Sequence, residues 1–204
     1  MVELFNSACI SGNLKAVKYL KSQFVEFTNW EPLTYGLEVA CQHGHLNIVE
    51  YLMPKDANSI WLSKFLDISC KYDQLDVVKF IVENTDKYDL KKIFDSAYLE
   101  SCSIDKLDIL KYLIMKSKEY DFDFGWGIYD KGFAYSCQKA EDVMNYFIYD
   151  LKFQYDYSVG NLIEKHTDKK KEQIFEHIKK RNLFFSLGDK LKNKEIIKIK
   201  ENKI

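Results

Sequence analysis

The chain is poor in the residues that break regular structure. It has 8 Gly and 2 Pro in 204 residues. So few turn-formers argue against a many-stranded β-sandwich or barrel, which needs a turn every several residues. Arginine is almost missing, since Arg181 alone among 30 basic residues is not lysine. No apolar run approaches the roughly 18 uncharged residues of a membrane span. The amino terminus, Met1-Val2-Glu3-Leu4-Phe5-Asn6, has no basic region followed by a long apolar stretch, so no secretory signal is expected. Net charge is −1, which gives no global field toward nucleic acid or membrane. The five cysteines are odd in number and form no C-x-x-C pair. An unpaired set fits a reducing, intracellular and cytoplasmic setting.

Those cysteines carry the first positive signal. Cys9, Cys41, Cys70, Cys102 and Cys137 are spaced by 32, 29, 32 and 35 residues, as an internal repeat requires. After each comes a helical stripe. The first four are Leu14–Leu20, Leu46–Leu52, Leu75–Ile81 and Leu107–Leu113, and the fifth, weaker, is Asp142–Phe147. Apolar residues fall at the first, fourth and seventh positions and polar ones at the second and fifth, the period of a half-buried helix. Before each stripe a first helix ends in small residues, as in Phe5-Asn6-Ser7-Ala8-Cys9 and Phe133-Ala134-Tyr135-Ser136-Cys137. Small residues let helix backbones approach, so the cysteines read as small buried hydrophobes.

Between the two helices the chain must reverse. Gly12, Gly44, Asp73 and Asp105 stand two residues before the leading leucines. A helix commonly ends on a left-handed residue, which Gly adopts freely and Asp tolerates. In the fourth unit Phe94-Asp95-Ser96-Ala97 copies Phe5-Asn6-Ser7-Ala8 four residues further from its stripe, a gap that one extra helical turn absorbs. The fifth unit is one residue short between Cys137 and its stripe. Segments 22–34, 54–63, 84–92, 117–131 and 150–158 read as connectors, and they carry most of the tryptophans.

The stretches Ala8–Leu20 and Ala40–Leu52, the latter with Gly44-His45 at its turn, resemble the helix–turn–helix of an ankyrin repeat. The resemblance runs from residue 3 to about 150. The family's T-P-L-H start is missing, and its G-A-D hairpin signal survives only faintly in Lys55-Asp56-Ala57-Asn58. The lysine-, asparagine- and isoleucine-rich style is similar to diverged ankyrin chains of giant DNA viruses of amoebae. The resemblance implies an all-α, ankyrin-like α-solenoid of stacked helix-turn-helix repeats with irregular inter-repeat loops. Its units would fall at about 3–34, 35–63, 64–92, 93–130 and 131–157, with a degenerate sixth repeat and lysine-rich cap or tail over 158–204. Stacked units bury one continuous core, and their ends need polar faces; Glu3 and Asn6 are the groups available at the amino-terminal end.

No motif for catalysis stands out, so a non-catalytic protein is expected, with no cofactor. Cys41-x-His43-x-His45 invites a metal reading, but His45 occupies the turn histidine of the family, and no metal site is expected; His166 and His177 make no metal pair. The implied function is a protein-interaction module, monomeric, binding a protein partner through its concave face and inter-repeat loops. Candidate contact residues are Trp30, Trp61, Tyr120, Phe122, Phe124, Trp126 and Tyr129. The last five lie in an alternating aromatic and acidic stretch, Glu119 to Asp130. Two readings stand for it, interface anchors at a loop tip or a cover folded over the seam between units four and five. Residues 1–164 carry 17 basic and 25 acidic groups, a balance of −8, against 13 and 6, or +7, for residues 165–204. The acidic body favours a partner with a basic patch. The basic segment reads as a solvated capping face, with nucleic-acid binding as the alternative and no role at a membrane.

Overall fold

A computed structural model describes residues 1–23, 30–55, 57–122, 125–151, 172, 176 and 179. Among them there is no β-strand. Between residues 1 and 151 the described residues form ten α-helices in five successive pairs: α1 (Val2–Ile10) with α2 (Leu14–Gln23), α3 (Trp30–His43) with α4 (Leu46–Leu52), α5 (Ser59–Lys71) with α6 (Leu75–Asn84), α7 (Lys87–Ser103) with α8 (Leu107–Glu119), and α9 (Gly125–Lys139) with α10 (Glu141–Asn145). A π-helical turn, Tyr146–Asp150, continues α10. First helices pack on the first helices of the next pair and second helices on second, giving two layers. The degenerate sixth repeat and the basic segment lie outside the described residues, apart from isolated positions.

The turns repeat down to single hydrogen bonds. Gly12, Gly44, Asp73 and Asp105 all have positive φ, between 61° and 71°. In each turn the N–H of the next residue returns to the carbonyl of the residue before the cysteine: Asn13 to Ala8, His45 to Ala40, Gln74 to Ser69 and Lys106 to Ser101, at 2.9–3.0 Å. This closure satisfies helix-end carbonyls that would otherwise lack donors. The same device ends α8, where Asp121 has φ 57° and Phe122 N–H returns to Ser117 O at 2.7 Å. The fifth pair departs as its short spacing predicts. Ala140 holds the turn position at φ −107°, and α10 starts one residue early.

Adjacent turns clasp one another by chemistry that changes with the turn residue. His45 Nε2 lies 2.8 Å from Ile10 O, and Gln74 Nε2 donates to Gln42 O at 3.2 Å, each reaching over a glycine. Where aspartate replaces glycine, its carboxylate becomes the acceptor. Lys106 Nζ donates to Asp73 at 3.1 Å, and Asp105 accepts from the backbone of Val143 at 2.9 Å and Asp142 at 3.4 Å.

All five cysteines are free and buried. Four residues before them stand Phe5, Leu37, Leu66, Tyr98 and Phe133, each at most 1% exposed, within one continuous apolar core. The fourth pair keeps the cysteine register and takes up the expected extra turn, α7 having 17 residues against 13 in α5.

Two expectations need correction. First, the connectors are shorter, because α3, α5, α7 and α9 begin inside segments assigned to them. Asn58 and Asp86 explain two of these starts: each caps its helix, accepting from Trp61 N–H at 3.1 Å and from Tyr88 and Asp89 N–H at 2.9 and 3.1 Å. Trp30, Trp61 and Trp126 therefore stand in first helical turns. Second, Glu3 and Asn6 do not make the outer face of α1 wholly polar, since Met1, Val2 and Leu4 are exposed there.

Candidate partner-binding surface

The aromatic and acidic stretch after α8 turns inward at the rings the structure describes. Tyr120, Phe122 and Tyr129 are half-buried and packed against the core. Phe122 meets Phe94 edge-on, ring centres 5.5 Å apart, and Tyr129 meets Tyr98 likewise at 5.7 Å. Tyr120 lies 5.7 Å from Phe122. Lys116 and Lys87 sit over Tyr120 and Phe122 at 5.6 and 5.9 Å, the range of cation–π attraction. These contacts tie Tyr120 and Phe122 to the fourth pair, and Tyr129 on α9 to Tyr98 on α7. Trp61 also packs inward, 6.2 Å from Phe65 with Lys64 above it. For Trp30 and Trp126 the helix position is all that is described, and Phe124 lies outside the described residues.

The layer of first helices offers a different set. Tyr35, Ile60, Tyr88 and Tyr135 are exposed on α3, α5, α7 and α9, Ile60 and Tyr88 by 77% and 74%. Among them run acidic groups held in register. Glu38 on α3 pairs with Lys64 on α5 at 2.5 Å. One repeat later Ser96 on α7 donates to Asp67 on α5 at 2.9 Å. Burial pushes the Asp67 carboxyl up to about 6; Ser96 and Ser63 pull against it, and the nearby Glu100 charge adds to it. Burial also raises Asp95, offset by Lys131. The first-helix layer thus exposes Tyr35, Ile60, Tyr88 and Tyr135 and carries Glu38, Asp67, Asp95 and Glu100, with Lys64 set against Glu38 and Lys131 against Asp95. Tyr35 and Tyr135 stand in first helices, where the repeat marks only the small-residue ends, and Tyr88 stands in the non-periodic segment 84–92. The available signal was an aromatic at a polar position of a helical stripe.

The second-helix layer carries its own aromatic column, Tyr19, Tyr51, Phe80, Tyr112 and Tyr146, at equivalent positions. Here the rings link neighbours. Lys18 and Lys21 lie over Tyr51 at 5.3 and 4.9 Å, and Lys111 over Tyr146 at 5.3 Å. The Tyr112 hydroxyl sits 3.2 Å from Glu83 of the preceding pair. A groove of about 530 Å³ opens on this side between α4, α5 and α6, and one of about 320 Å³ between α2 and α4.

His45 and the cysteines take part in the packing. His45 holds Ile10 O, with its ring stacked on His43 at 6.0 Å. No three His, Cys, Asp or Glu side chains gather at metal-binding distance among the described residues. His166 and His177 lie outside them. Burial raises the thiols of Cys9, Cys41 and Cys70 to about 12, so they stay protonated at neutral pH. No helix among the described residues is long and apolar enough to cross a membrane. No protein-family model matches the chain, and no curated protein or solved structure is significantly similar to it.

Proposed function

We propose that the chain is a non-catalytic protein-interaction module, an ankyrin-type α-solenoid that binds a partner across its row of first helices. Support for the solenoid is the sequence resemblance together with five helix pairs whose turns share one backbone closure. The observation that carries the function is the exposure of Tyr35, Ile60, Tyr88 and Tyr135 on the layer of first helices that also carries Glu38, Asp67, Asp95 and Glu100. Tyrosine brings large, rigid contact area with a polar tip, and fixed carboxylates select a partner carrying lysine or arginine. The buried, unpaired thiols favour an intracellular site of action.

The test is site-specific photocrosslinking in cells, with the probe at Tyr88 or Tyr135 and a control at Tyr19. One partner captured from the first two positions and not from the third is expected. Equal capture from all three, or none, would sink the reading. A second reading rests on the +7 balance of residues 165–204. It requires nucleic-acid binding that falls steeply with salt, and salt-insensitive or absent binding dismisses it.

A further inference from the structure

No further inference is drawn: the strongest candidate, the exposed apolar stripe of Met1, Val2 and Leu4 on the outer side of α1 at the amino-terminal end of the stack, is an unpartnered helix face, and nothing in the structure shows what covers it.

Discussion

Gly36 leans on Phe5: a Cβ built on Gly36 would stand 2.5 Å from Cε1 of the ring and 3.1 Å from the Cys9 sulfur. Gly132 repeats the relation with Tyr98 and Cys102, at 2.6 and 3.0 Å. Both glycines stand five residues before a cysteine, and both face an aromatic four residues before the preceding cysteine. Phe5, Tyr98 and Phe133 are the aromatics at that position, and the first two are each followed by a pair whose glycine leaves room for the ring. Neither glycine has positive φ, so the demand is for space.

Gly36→Ala is therefore expected to destabilise the chain by about 1–3 kcal/mol through overpacking. Phe5→Leu in the same chain should restore part of that loss, although alone it is destabilising. A double-mutant cycle by urea denaturation reads the coupling. Strict additivity of the two changes would show that Phe5 is not what the new methyl meets.

The turn aspartates should respond differently to the same substitution. Asp73→Gly and Asp105→Gly give equal relief of the left-handed backbone and equal loss of unfolded-state order. Asp73 gives up an exposed ion pair with Lys106, worth little. Asp105 gives up the cap of α10, which Ala140 at the helix start cannot supply. Capping contributes about 1 kcal/mol, so Asp73→Gly should be the more stable of the two by about that amount. Equal stabilities in thermal or urea unfolding would remove Asp105 from the capping role.

These relationships mark how far the sequence was legible. Repetition exposed whatever each unit requires of one position: the buried cysteine, the left-handed residue two before the stripe, the extra turn of α7. Helix starts were hidden because Asn58 and Asp86 act singly, in stretches without periodicity. The Gly36–Phe5 contact joins residues in successive pairs, so it emerges only once those pairs are stacked. The inward fold of Phe122 follows from the turn at Asp121, a positive φ at an aspartate outside the repeat register. Tyr35, Tyr88 and Tyr135 belong to the candidate face because of which layer they join, a property of packing that composition does not encode.

The cysteines offer a direct check on burial. With the thiols of Cys9, Cys41 and Cys70 raised to about 12 and all five side chains buried, a thiol-reactive disulfide reagent at pH 8 should leave them unmodified in the native chain. Adding urea should release all five at the unfolding midpoint seen by circular dichroism. Prompt native-state modification of any of the three would contradict the packing of the first helices.

Asp67 makes stability depend on pH in the direction opposite to a salt-bridged carboxylate. Its folded value is raised from 3.8 to about 6, so between those limits the folded chain holds a proton that the unfolded chain has lost. Stability contributed by this group therefore falls as pH rises from about 4 to about 6, and above that range the ionised form is a standing cost. Asp67 keeps partial contact with water, which reduces the cost to about 1 kcal/mol, below what the full shift would give. Asp67→Asn keeps an oxygen for Ser96 and removes the charge facing Glu100. It should stabilise the chain by about that amount at pH 7.5 and by nothing measurable at pH 4. Urea unfolding of both chains at the two pH values decides it: a gain at pH 4 as large as that at pH 7.5 would mean that the benefit comes from packing and not from the proton.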